Sequence, residues 1–413
     1  MFETVSTNAR DCLDLPMAVA LVGCAGDGAE LGALAAALAG RGHLVTVYVR
    51  SEGEASSEQL DEGDGYRIVE VCAGPSAALG ASDALPLTAE FASYLNRAWE
   101  RDPPNLVHGY GWLPGLAAQL AARRQQLPTV QTFHGFGPPA EPNRSVRTPA
   151  EAERVRLEPV LARAATWVTA SCTADLNALS ALRHSRARMS LVPGGVDVER
   201  FSPVGPAASR GALVRIVCVA TSAAHLNDVD HVVGVMPKLA DTELLVAATG
   251  HDDTASLLAC TDLQRRAAGH LGLTNRLHLL GTVEPDRLPP LLRSADVVAC
   301  TPRSAPRATE ALQAMACGVA VVATDIGALS DVVVHDVTGL LVPVGKPADL
   351  AVALKTLQAQ QFQREGMGAA GRARARSRYA WARIAVDFEA AYRKVARGMA
   401  AARPACVRPA TVN

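Results

Sequence analysis

The loop from Thr301 to Thr309, TPRSAPRAT, holds two guanidinium groups, Arg303 and Arg307, and runs directly into the helical pattern that carries Glu310 and Gln313. A β-branched run, DVVAC, precedes it. Where a loop follows the carboxyl end of a parallel strand and opens a helix, free backbone N–H groups and the helix dipole converge. Open α/β sheets bind anions and nucleotides at that point. Two histidines, His108 in NLVHGYG and His134 in TVQTFHGFG, stand near the ends of two further apolar runs, again where such a sheet collects its binding groups. Either residue serves structure when its ring nitrogens are satisfied by neighbours, and chemistry when they are not. Gly23, Gly26 and Gly28 form a G-x-x-G-x-G turn after the first apolar run, neither the dinucleotide fingerprint nor a P-loop. Glycines there let something approach the backbone closely, and an ordinary tight turn accounts for them equally well.

These residues need a scaffold of alternating strands and helices, and the chain is patterned to supply one. Asp296 to Pro343 reads as strand, loop, helix, strand, helix, strand, with a β-branched run at Val319 to Thr324 and turn chemistry at Asp336 and Gly339. The first half alternates in the same way, from AVALVG and a helix ending at Gly42, through LVTVYVR, YRIVEV and a helix near Ala89 to Arg101. It continues with NLVHGYG, a helix from Leu113, TVQTFHGFG, and a helix, strand and helix after Pro149. A small, turn-rich stretch, VGPAASRGA, follows SLVPGGVDVERFSP and reads as a linker. The second half restarts at LVRIVCVATS, with a helix near Val229 to Leu239, the strand ELLVAATG, a helix ending near LGL and the strand RLHLLGTV. After the Asp296 to Pro343 stretch come helices only. Arg372, Arg374, Arg376 and Arg378 read as one solvated helix face, and Met399 to Asn413 as a frayed tail.

A chain of 413 residues suits two domains, each able to bury its own core. With 20% charged residues and a formal net charge of -1, it carries no field that would draw nucleic acid, and at most peripheral membrane contact is expected. Its nine cysteines form no C-x-x-C pair or metal spacing, and several fall inside apolar runs, so buried reduced thiols and a cytoplasmic location are expected. The apolar run Met17 to Cys24 is too short to span a bilayer.

AMACGVAVVAT and DVTGLLVP, together with V-P-x-G-V-D-x-x-x-F at Val192 to Phe201, resemble the retaining GT-B glycosyltransferases of the family-four group. The resemblance is to the actinobacterial branch that includes mycothiol-type and sucrose-phosphate-synthase-like enzymes, and it extends from Val19 to Val395. It implies an α/β protein of two doubly wound, Rossmann-like domains facing across a cleft. The implied segments are an acceptor-side domain at 1–205, a nucleotide-sugar-side domain at 206–370, helices at 371–398 crossing back to the first domain, and a tail at 399–413. It implies transfer of a sugar from a nucleotide-diphosphate sugar to a small-molecule or glycan acceptor, with no metal or other cofactor. By the same resemblance His134 is the catalytic-side histidine beside donor sugar and acceptor, and Gly26, Gly28, His108 and Trp112 face the acceptor and phosphates. Gly281, Thr282 and Val283 back the nucleobase, Ala308 and Thr309 open the donor helix, and Arg156 with Glu158 forms a bracing ion pair.

The sequence departs from that family at the donor site. The two glutamates of the E-x7-E signature are replaced by Ala305 and Gln313, and the arginine and lysine that clamp the diphosphate by Thr221 and Leu226. Gln313 keeps one acceptor and two donors without charge. Arg303 and Arg307 are placed to approach a diphosphate from the other side, and Glu310, one helical turn before Gln313, to take a ribose hydroxyl. Three readings follow. One is an active glycosyltransferase with a rewired clamp. Another is a degenerate GT-B protein acting as a partner or ligand-binding module, in a homo- or hetero-oligomer with a related glycosyltransferase. The third is a transferase using a cyclitol-type donor.

Overall fold

The computed structural model describes residues 16–24, 28–52, 65–75, 77, 79–136, 149–221, 226, 228–249, 261, 273, 275–304 and 307–402. Every strand expected from the β-branched runs forms, and the strands sort into two sheets. The first contains β1 (Ala18–Gly23), β2 (Leu44–Arg50), β3 (Arg67–Val71), β4 (Leu106–Tyr110), β5 (Thr129–Phe133), β6 (Trp167–Ala170) and β7 (Met189–Leu191), in the order β3-β2-β1-β4-β5-β6-β7. The second contains β8 (Val214–Ala220), β9 (Thr242–Ala248), β10 (Leu277–Thr282), β11 (Val297–Cys300), β12 (Ala320–Thr324) and β13 (Gly339–Val342), in the order β10-β9-β8-β11-β12-β13. All pairings within both sheets are parallel. Parallel strands are covered on both faces, which explains why they read as continuous apolar runs and not as alternating ones.

Helices cover those faces. In the first half they are α1 (Gly28–Ala39), the single turn α2 (Ala81–Ala84), α3 (Thr88–Arg101), α4 (Trp112–Gln125), α5 (Pro149–Ala164) and α6 (Thr173–Arg183). In the second half they are α7 (Asp230–Val235), α8 (Leu288–Arg293), α9 (Thr309–Ala316), α10 (Gly327–Val332), α11 (Pro347–Ala359), α12 (Gln361–Arg374) and α13 (Trp381–Ala402). Helix α1 shows the packing rule: Leu31, Leu34, Ala35 and Leu38, at helical spacing, are its buried residues. The helix expected near LGL lies outside the described residues.

The order of each sheet reverses direction once, between β1 and β4 in the first and between β8 and β11 in the second. At such a point the loops leaving adjacent strands turn to opposite faces and leave a crevice beyond the strand ends. The two crevices, with the gap between the sheets, position the site.

Helix α13 returns to the first sheet. Its Ile384, Ala385, Phe388, Tyr392 and Val395 join Leu21, Leu34 and Val47 in one core. The crossing is pinned where Val196 N–H donates to the Tyr379 carbonyl at 2.8 Å and Gly195 lies against the Trp381 ring, too close to admit a Cβ. Two expectations need correction here. The Arg372–Arg378 run is not one solvated face: Arg374 is half-buried, donates to the carbonyls of Asp331 and Val332 at 2.8 and 2.9 Å, and stacks on Tyr379. The helix also continues past Met399 to Ala402, with the remainder of the expected tail outside the described residues. Of the cysteines, Cys172, Cys218 and Cys317 are buried as expected, whereas Cys24 and Cys72 are exposed.

Candidate functional site

A cleft of about 1070 Å³ runs between the two halves. Its second-half wall is made by residues at the carboxyl ends of four strands: Thr221 after β8, Thr249 after β9, Thr282 and Val283 after β10, and Thr301 after β11. Its first-half wall is made by Ala29 and Glu30 at the start of α1 and by His134 after β5. Beside it, over the reversal of the first sheet, lies a smaller pocket of about 310 Å³ lined by Gly23 and Cys24 after β1 and by Gly111 and Trp112 after β4. His134 and Arg307 line both cavities and form the partition between them.

His134 is held by its backbone. Strand β5 ends at Phe133, and Gly135 turns the chain at φ +73°, where an L side chain would be strained. Asp175 of α6, itself buried, accepts the N–H groups of Gly135 at 3.1 Å and Phe136 at 2.9 Å. Arg154 of α5 donates to the Gly135 carbonyl. The imidazole packs edge-on against Tyr110, ring centroids 4.5 Å apart, and among the described residues neither of its buried ring nitrogens has a hydrogen-bond partner. Burial, reinforced by the Arg307 charge, holds its pKa well below the ordinary 6.5, so the ring is neutral at pH 7. A neutral imidazole offers one donor and one acceptor.

Arg307 projects from the loop before α9 and pairs across the cleft with Glu30 of α1, Nη1 to Oε2 at 3.1 Å. Among the described residues helix α9 begins beyond it with no side-chain cap, which leaves its first-turn N–H groups open to a ligand. Thr309, Glu310 and Gln313 of this helix line the cleft, and Ala308 is its buried N-cap. Gly281 takes φ +66° at the turn that presents Thr282 and Val283, although the Val283 N–H is committed to the Ala248 carbonyl at 2.9 Å. Among the described residues lining the cleft, the carboxylates Glu30, Asp197, Asp228, Glu284 and Glu310 outnumber the guanidinium groups Arg200 and Arg307. Arg200 is paired with Asp286 at 3.1 Å, and Arg307 and the N–H groups of α9 are the donors nearest the partition that could meet an anion.

Several expected residues stand elsewhere. His108 reaches neither cavity; it is fully buried, with Nδ1 2.8 Å from the Tyr392 hydroxyl and Nε2 2.6 Å from the Thr132 hydroxyl, and burial lowers its pKa to about 3. It joins the first sheet to α13. Arg303 turns away, its backbone N–H donating to Asp228 at 3.1 Å and its Nε lying 3.3 Å from His231. Leu226 is a core residue, 1% exposed, and not a surface substitute for a lysine. The ion pair at Glu158 is made by Arg154 at 2.7 Å, while Arg156 pairs with Glu153. Gly28 opens α1 but is not among the residues lining either cavity, and Gly26 and Ala305 lie outside the described residues. Sequence reasoning did not single out Glu30 or Asp175. Glu30 looks like an ordinary first-turn acid and Asp175 like another, and only the approach of distant segments reveals their partners.

Two parallel, doubly wound sheets that face each other across a cleft, with the chain's last helix returned to the first, define the GT-B fold. Comparison with known proteins agrees. Residues 31–200 match the model of Glycosyltransferase Family 4 and residues 214–360 that of the Glycosyl transferases group 1. The D-inositol 3-phosphate glycosyltransferase of Geodermatophilus obscurus is 31% identical over 386 residues, covering 88% of this chain and 84% of the relative. That of Kineococcus radiotolerans is 31% identical over 412 residues, covering 90% and 91%. Among solved structures, sucrose-phosphate synthase from Thermosynechococcus elongatus superposes with a TM-score of 0.80 at 22% identity, covering 92% of this chain and 99% of that one. Anabaena HepE in complex with UDP-glucose superposes with a TM-score of 0.68 at 18% identity, covering 93% and 100%. The chain belongs to the GT-B glycosyltransferases of this family-four group. Among the described residues no helix is long and apolar enough to cross a membrane, and no cluster of His, Cys, Asp or Glu suits a metal ion.

Proposed function

We propose that the protein transfers a glycosyl group from a nucleoside diphosphate sugar to a hydroxyl acceptor, with retention at the anomeric carbon, without a metal, and in the cytoplasm. The observation that carries this reading is the shared wall: His134 and Arg307 line both the cleft and the smaller pocket, so one reacting centre can be reached from both sides. The nucleotide occupies the second-half side of the cleft, its base near Thr282 and Val283 and its diphosphate at Arg307 and the start of α9. Glu310 and Gln313 take hydroxyls of the ribose or of the transferred sugar. The acceptor enters the smaller pocket past Trp112. Its hydroxyl oxygen forms the bond to the anomeric carbon as the bond from that carbon to the diphosphate oxygen breaks. The electron pair leaves with the nucleoside diphosphate and the hydroxyl proton passes to a phosphate oxygen. Negative charge grows on the diphosphate during this step, and Arg307 with the α9 dipole stabilises it. Neutral His134 donates or accepts a hydrogen bond at the sugar without changing charge.

Family membership along most of the chain and the His134–Arg307 partition support transfer over a purely scaffolding role. Relatives crystallised with UDP and UDP-glucose support a nucleotide sugar as donor. The test is thermal stability of the purified chain against UDP-, GDP- and ADP-sugars. A ligand at ten times its Kd raises native stability by about 1.4 kcal/mol, a clear shift in melting temperature. No shift with any nucleotide sugar at millimolar concentration overturns the reading. Proton NMR of the first-formed product then reports the anomeric configuration, and an inverted product refutes retention.

A further inference from the structure

We propose that the acceptor is an uncharged alcohol with an apolar aryl or alkyl portion, and not a phosphorylated polyol; this rests on the transferase reading above. The lining of the smaller pocket includes the apolar residues Leu79, Ala84, Leu87, Phe91, Leu113 and Pro114. An apolar lining of this kind, in the same pocket as His134 and Arg307, favours a ligand with a portion that sheds water on binding.

The polar side leads to the same class. Recognition of a phosphate monoester calls for guanidinium or ammonium groups with donors to give, ideally in a bidentate fork. The pocket contains Arg50, Arg154 and the shared Arg307. Arg50 is spent within the first domain: Nη1 donates to the carbonyls of Pro75 at 2.9 Å and Ser51 at 3.1 Å, Nη2 donates to that of Ala77, and Glu52 lies 3.8 Å from Nη2. Arg154 gives Nε to Glu158 at 2.7 Å and Nη2 to the Gly135 carbonyl. Arg307 is paired with Glu30 and stands at the partition, where the leaving diphosphate competes for it. Among the described residues, each cation of the pocket thus has a carboxylate beside it, and a dianionic phosphate placed here would face Glu52 and Glu158 as well. The relatives named for D-inositol 3-phosphate share the fold. In this chain the pocket's chemistry departs from what a phosphorylated acceptor requires.

The closing experiment uses the intact chain and two matched pairs, 4-methylumbelliferone with its phosphate ester and myo-inositol with its 1-phosphate. Binding is measured by calorimetry in the presence and absence of saturating UDP. The expected result is saturable binding of the aryl alcohol and at least tenfold weaker binding of both phosphate esters. Leu87→Asp and Leu79→Asp should each weaken the aryl alcohol at least tenfold with unchanged UDP affinity, which also reports that the variants are folded. Tighter binding of either phosphate ester than of its parent alcohol, or indifference of the aryl alcohol to both substitutions, overturns the proposal. Aryl alcohol binding with no response to any nucleotide or nucleotide sugar instead overturns the transferase reading, so the two failures are separable.

Discussion

Lowering the pH should loosen the attachment of α13 to the first sheet through a single histidine. His108 is fully buried between Thr132 and Tyr392, and its folded pKa is about 3 against 6.5 in an open chain. The depressed value means that the folded state refuses a proton which the unfolded state accepts. The stabilisation is therefore complete above pH 6.5 and is lost as pH falls from 6.5 toward 3, at about 1.4 kcal/mol per pH unit. From pH 7.5 to 5.0 the loss from this one group is about 2 kcal/mol. His43 and His134 are also held below their ordinary values by burial and add to the wild-type slope, so the assay compares wild type with His108→Gln. The glutamine amide can still meet both hydroxyls but does not titrate. Urea denaturation followed by tryptophan fluorescence at several pH values gives the difference between the two proteins. The penalty of His108→Gln should shrink by about 2 kcal/mol between pH 7.5 and 5.0, because the contributions of the other histidines cancel. Parallel pH profiles would show that His108 is not held neutral by its burial, and would refute the reasoning.

Three further outcomes are expected. Arg307→Ala should weaken nucleoside diphosphate binding by about 1.5–3 kcal/mol, tenfold to over a hundredfold, whereas Arg303→Ala, whose side chain faces Asp228 and His231, should change it by less than about threefold; calorimetry with UDP, GDP and ADP separates the two. Glu30→Gln should tighten the same binding several-fold, because it removes a carboxylate 3.1 Å from the one cleft guanidinium expected at the diphosphate, and weaker binding would count against that placement. Gly368→Ala should cost on the order of 1–3 kcal/mol, seen as a lower melting temperature with no change in ligand affinity once folded, because a Cβ there meets the Gly318 backbone carbonyl.

The architecture was legible because its signals are local. Each expected run becomes a parallel strand, and the β-branched Val319 to Thr324 becomes the fully buried β12 at Ala320–Thr324; the rule that ligands gather past strand ends placed the cleft. The partnerships were not legible, because they are decided by segments far apart in sequence. Arg307 is near Glu30 only because α9 and α1 meet across the cleft. Expecting Arg156 to brace Glu158 ignored helical phase. Residues two apart on a helix diverge by about 200°, whereas Arg154 and Glu158, four apart, lie on one face and form the pair. The same question of which way a side chain turns separates Leu226, packed inside, from Thr221, which lines the cleft.

The return of α13 also bears on how the protein is made. Phe388 and Tyr392 complete a core whose other members include Leu21 and Val47, so the first sheet stays unfinished until α13 has left the ribosome. The second sheet, with all its strands between Val214 and Val342, is covered by Leu354, Met367, Ala375 and Tyr379, all of which are made before α13, so it can close first. During synthesis the earlier-made half waits with one apolar face uncovered while the later-made half folds. A ribosome that stops short of α13 would leave a protein whose second sheet is covered and whose first sheet still exposes Leu21, Leu34 and Val47.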